Sequence, residues 1–237
     1  MRRTWPILLA LASLLVFGAT QAYARVETPN PHVFNATATP KISGESAEFT
    51  LKPFTVSCEK EKGTSSTATF PSKTLTTVVK ISGCEAEALI AKAEYELKAK
   101  VKTPVTFNYH ANGYVELGAG GTINEAGKLE GAGPIEIAVS GPFKCTIDVE
   151  AGTYPAKALT KPESEFEAVT FTNEEETIEK GKNIFTVHSL ELESELTKMP
   201  YSLEGEFCEA LPTTEFTGGL LENSLLASVK KGSITRE

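Results

Sequence analysis

Apolar and charged residues alternate one for one through EYELKAKVK, residues 94–102. Tyr95, Leu97, Ala99 and Val101 fall on one side, and Glu94, Glu96, Lys98, Lys100 and Lys102 on the other. Only an extended chain sorts residues with this period, because successive side chains of a strand point to opposite faces. The same rhythm groups Ile135, Ile137 and Val139, then Cys145, Ile147 and Val149, then Leu190, Leu192 and Leu196 opposite Glu191, Glu193 and Glu195. Between these runs stand HANGY, LGAGGT, NEAGK and EGAGP, rich in residues that reverse a strand. The pattern predicts an all-β protein, an antiparallel sandwich-like or barrel arrangement of roughly a dozen strands. It would form one large lobe or two small ones. Lobes over 25–150 and 168–237 are expected, with 151–167, which carries Pro155 and Pro162, as a linker or a crossover. The one stretch that reads as helix is CEAEALIAKAE, residues 84–94, where alanine and glutamate dominate.

Arg2 and Arg3 precede an apolar run from Ile7 to Phe17, and Ala22-Tyr23-Ala24 puts small residues where signal peptidase cleaves. This predicts a secretory signal peptide over 1–24 and a mature, extracellular chain that begins at Arg25. A spanning helix needs about 20 apolar residues, so no membrane span is expected after processing. The net charge of −8 becomes more negative once Arg2 and Arg3 leave, and an acidic chain without a basic face is not built for nucleic acid. The mature arginines are Arg25 and Arg236, one at each end. The interior of the chain therefore lacks the guanidinium fork that commonly reads phosphate or carboxylate.

Four cysteines remain after export: Cys58, Cys84, Cys145 and Cys208. An even count in a secreted chain favours disulfides. Zinc prefers close pairs, and these are far apart. A thiol nucleophile needs a histidine partner, and the chain has only His32, His110 and His188. Three connectivities satisfy four cysteines. Sequential pairing, Cys58–Cys84 and Cys145–Cys208, is the most natural, because Cys58 and Cys84 each end a strand run and a hairpin-sized segment joins them.

The remaining motifs argue against most catalysis. GTINEAGKL, residues 121–129, looks like a phosphate loop, but Leu129 stands where Ser or Thr must meet magnesium, so it is read as a hairpin turn. Asp148 is the single aspartate, set mid-strand in CTIDV, and no nucleophile-elbow motif is present. No metal-ligand spacing links the histidines, and no cofactor or metal is expected. The abundant glutamates leave a hydrolase of extracellular polysaccharide as the alternative, although sugar-processing clefts favour the tryptophan platforms that the mature chain lacks. The best local candidate for ligand contact is YHANGY, where Tyr109, His110, Asn112 and Tyr114 combine rings with hydrogen-bonding groups. The plainer reading of the same letters, an Asn-Gly turn flanked by strand aromatics, is favoured over ligand contact. The expected role is a non-catalytic extracellular or cell-surface module that meets a cell-wall polymer or an extracellular protein.

The order of short motifs carries a resemblance. FTVSCEK, TVVKISGCEA, KCTIDVEAGTYP, AVTFTN, MPYSLEGEFC and TGGLLENSLLASVKKGSI follow one another across most of the mature chain. In this the chain resembles a family of secreted, β-rich, disulfide-containing bacterial proteins of unknown function, often present as many divergent paralogues. Glu206-Phe207 precede the last cysteine where that family more commonly has glycines, while Thr217-Gly218 fits its closing turn. The resemblance implies secretion, a β fold and sequential disulfides, and it supplies no catalytic residue.

Overall fold

The structure is a computed structural model that describes residues 32–90, 92–155, 168–180, 183–205, 208, 215–229 and 233–237. The expected leader and residues 156–167 of the expected linker lie outside this set. Among the described residues there are sixteen strands and no α-helix. The strands are β1 (Phe34–Ala36), β2 (Lys41–Leu51), β3 (Phe54–Ser65), β4 (Thr74–Ile90), β5 (Ala93–Val101), β6 (Val105–His110), β7 (Val115–Ala119) and β8 (Thr122–Ile123). There follow β9 (Leu129–Glu130), β10 (Ile135–Ser140), β11 (Lys144–Val149), β12 (Gly152–Tyr154), β13 (Val169–Lys180), β14 (Asn183–Glu204), β15 (Glu215–Ser228) and β16 (Ile234–Arg236).

Eight strands close a ring of antiparallel pairs in the order β2, β3, β4, β5, β10, β11, β14, β15 and back to β2. Closure satisfies the backbone groups that an open sheet edge would expose. The length of β4 makes it a branch point. Its second half, Cys84 to Ile90, pairs with β5, and its first half, Thr74 to Val79, pairs with β6. From that first half the sheet continues through β6, β7 and β12, while β13 pairs with the first half of β14. Strands on both sides of 156–167 thus join one sheet path.

The alternation read from the sequence supplies the core. Leu97, Val101, Ile135, Ile137, Val139, Cys145, Ile147 and Val149 are buried, together with Phe49, Phe54 and Val56 from β2 and β3. Each such side chain removed from water contributes about 1.5–3 kcal/mol before its ordering entropy is counted. Cys58 and Cys84 stand directly opposite each other on β3 and β4, with Cα atoms 4.0 Å apart, and form a disulfide. Cys145 on β11 is bonded to Cys208, Cα to Cα 5.9 Å. Sequential pairing is therefore correct, and two disulfides point to an oxidising compartment.

Two local expectations are corrected. Among the described residues of 84–94 there is no helix: Cys84 to Ile90 belong to β4, and Ala93 and Glu94 open β5. Ala86 and Ala88 are buried while Glu85, Glu87 and Leu89 face outward. Pairing with β3 on one side and β5 on the other overrides the helical preference of alanine, which is worth only tenths of a kcal/mol per residue. Thr217-Gly218 lies within β15 and makes no closing turn.

Candidate functional site

The YHANGY segment ends β6, turns, and enters β7. Gly113 takes a left-handed φ of 97°, and its N–H donates to His110 O at 2.9 Å, while His110 N–H donates to Tyr114 O at 2.8 Å. Glycine adopts this backbone conformation without steric cost. The turn is tied down from outside: Ala111 N–H donates to Lys73 O at 3.0 Å, and Arg236 Nε donates to Ala111 O at 2.6 Å.

The four residues singled out from the sequence part company here. Tyr109 is fully buried, stacks on Phe107 at 5.7 Å and faces the core, so it forms no surface patch with Tyr114. The cause is β6 itself, whose six residues are all buried because it is covered on both faces. His110 and Tyr114 lie on the other side and stack on each other, ring centroids 3.8 Å apart and 15° from parallel. Together with Asn112 they line a groove of about 360 Å³ whose other wall is the β8–β9 turn. That turn is the rejected phosphate loop. It is a hairpin in which Asn124 Oδ1 accepts from Ala126 N–H and Lys128 N–H, both at 2.9 Å.

Behind the ring pair is a buried polar network that sequence reading missed. Asn108 Nδ2 donates to Glu116 Oε2 at 2.7 Å and to Gly127 O at 2.8 Å, and Asn108 Oδ1 accepts from Thr76 Oγ1 at 2.8 Å. Glu116 Oε2 also accepts from Leu129 N–H at 2.7 Å and lies 3.3 Å from His110 Nε2. Both amide hydrogens of Asn108 are thereby used. The nitrogen of His110 that faces the carboxylate must carry a proton and donate it to Glu116. Burial alone would raise the Glu116 carboxyl, but donation from His110, Asn108 and Leu129 outweighs it and holds the group below its ordinary value. Glu116 is thus an ionised anchor. It orients the imidazole, and Asn108 clamps the hairpin to the β8–β9 turn. We predict that Asn108→Ala destabilises the fold by about 3 kcal/mol, because Thr76, Glu116 and Gly127 each lose a partner. A lower urea midpoint at unchanged slope is the expected reading.

The groove is flanked by Lys73, Lys128 and His32, with Glu125 as the carboxylate in its wall. A larger open groove of about 480 Å³ is different in character. Glu195, Glu222 and Glu48 stand directly opposite one another across β14, β15 and β2, beside Glu193. Asp148 sits in β11 opposite Glu136 and Ser202. Burial first, then the nearby Glu204 and Glu136, raise its carboxyl. Among the described residues no cluster of three or more His, Cys, Asp or Glu side chains is placed to hold a metal ion. No described helix is long and apolar enough to cross a membrane. No protein-family model, no curated protein and no solved structure matches the chain.

Proposed function

We propose that this protein is a secreted, non-catalytic extracellular or cell-surface module, and that it binds a surface polymer in the groove beside Tyr114. The carrying observation is the His110–Tyr114 stack, held at 3.8 Å on a hairpin whose rear is fixed by the Asn108–Glu116 network. A rigid aromatic pair offers contact area at small entropic cost. Lys73 and Lys128 extend the groove with donors that suit hydroxyl- or carboxylate-bearing chains. The disulfides and the leader-like N-terminus support an extracellular role.

The hydrolase reading draws on the opposed row Glu195–Glu222–Glu48. A general acid needs a raised carboxyl within reach of substrate. Glu61, the glutamate raised to about 8, is 0% exposed, so it does not combine with that row.

The test is sedimentation of purified protein with isolated cell-wall polysaccharides. Tyr114→Ala is expected to weaken binding about tenfold while leaving the fold intact. Polymer turnover that a single Glu→Gln change in the opposed row abolishes would overturn the reading in favour of the hydrolase.

A further inference from the structure

The interior of the closed sheet holds polar side chains that the groove does not use. Glu61 on β3 is 0% exposed, Tyr109 on β6 0%, and Ser194 on β14 and Asn223 on β15 5% each. Ser194 and Asn223 are direct cross-strand partners, and Asn223 Nδ2 donates to Glu61 Oε1 at 3.4 Å. Tyr109 belongs to β6, which joins the ring through β4, and Ser194, Asn223 and Glu61 all act on its phenol. Yet Glu61 Oε2, Tyr109 Oη, Ser194 Oγ and Asn223 Oδ1 are all buried without a hydrogen-bond partner. Buried polar atoms are nearly always satisfied, so four orphans at one place call for an occupant.

We infer that these four oxygens form a site for one small, hard, monovalent cation of sodium's class inside the closed sheet. The donors are all oxygen, the ligand type that hard cations take. They carry one formal negative charge, on Glu61, which one positive charge neutralises; divalent ions of the calcium class gather several carboxylates. Ser194 and Asn223 both act on the Tyr109 phenol, so these oxygens lie near one another, and none of Tyr109 Oη, Ser194 Oγ and Asn223 Oδ1 has a hydrogen-bond partner. The Gly44 backbone packs close against the carboxylate. A side chain at Gly44 would put its Cβ 2.5 Å from Glu61 Oε2 and 2.7 Å from Ser224 O. Ser194 and Asn223 also line the open groove that holds Glu193, Glu195 and Glu222.

The experiment melts the full mature chain at about pH 8 while sodium chloride replaces choline chloride at a constant ionic strength of about 0.3 M. The expected result is a midpoint that rises by about 5 °C across the series in the unaltered protein. Glu61→Gln should show no sodium dependence, and Ser194→Ala less than half of it. Equal midpoints in sodium and choline would overturn the site and leave the cluster to water. So would an equal rise in Glu61→Gln. A rise reproduced in full by millimolar calcium chloride in choline would overturn the monovalent assignment.

Discussion

In choline buffer free of small metal cations, Glu61→Gln is expected to melt about 10 °C above the unaltered protein at about pH 8 and level with it at about pH 5. The Glu61 carboxyl is driven by burial from 4.5 to about 8, with the hydrogen bond from Asn223 opposing the shift only in part. The sign follows from linkage. Below 4.5 the group is protonated whether the chain is folded or not, and it costs nothing. Between 4.5 and about 8 the unfolded chain releases the proton while the fold retains it, so stability falls by about 1.4 kcal/mol per pH unit. At about pH 8 the accumulated cost is on the order of 4 kcal/mol. Glutamine keeps the shape and the acceptor that faces Asn223 but cannot ionise, so the cost disappears. The other titratable group facing Glu61 is Tyr109, whose phenol burial pushes up and out of this pH range; Ser194, Asn223 and Gly44 do not titrate. Melting curves at three pH values decide the matter. Parallel pH profiles for the two proteins would show that Glu61 ionises freely in the fold. Choline is essential, because a bound cation would offset the same cost.

The second large effect is expected from Cys145→Ala/Cys208→Ala, which should lower stability by about 4 kcal/mol. The bond spans 63 residues, and severing it restores the entropy of that loop to the unfolded chain. Loss of the Cys58–Cys84 bond, across 26 residues, should cost about 3.5 kcal/mol by the same reasoning. Its register is also held by neighbouring pairs, Ser57 with Glu85 and Lys60 with Ser82, so β3 and β4 should stay aligned without it. Urea unfolding of the two double variants measures both costs. A Cys145→Ala/Cys208→Ala protein as stable as its parent would show that the unfolded chain is already held compact in that region.

Much of the barrel wall was legible from periodicity alone. Leu97, Ile137, Ile147 and Leu192 are buried where alternation placed them, because a strand with one wet face must sort its side chains by two. Disulfides were legible from parity, and strand ends made the sequential pairing the most natural of the three that four cysteines allow. The hairpin tip was half legible. Asn-Gly marked the turn, but not which of Tyr109 and His110 would face the core, for β6 is covered on both sides and carries no alternation. The Asn108–Glu116 network was hidden, because its partners Gly127 and Leu129 arrive from a separate hairpin.

Composition and alternation by themselves determined that this chain is all-β and antiparallel, because strand period acts over short stretches, and cysteine parity pointed to disulfides; that Cys58 meets Cys84 and Cys145 meets Cys208 was settled by the structure among three possible pairings. Tertiary structure alone decided that eight strands close on themselves, since closure depends on β4 pairing with β3 and β5 at once and on β15 returning to β2. It also decided the fate of Glu61. In CEKEKG that residue reads as one more solvated charge. It is buried because Gly44 opposite it leaves space for a carboxylate, and because the ring of strands turns its face of β3 toward Tyr109, Ser194 and Asn223.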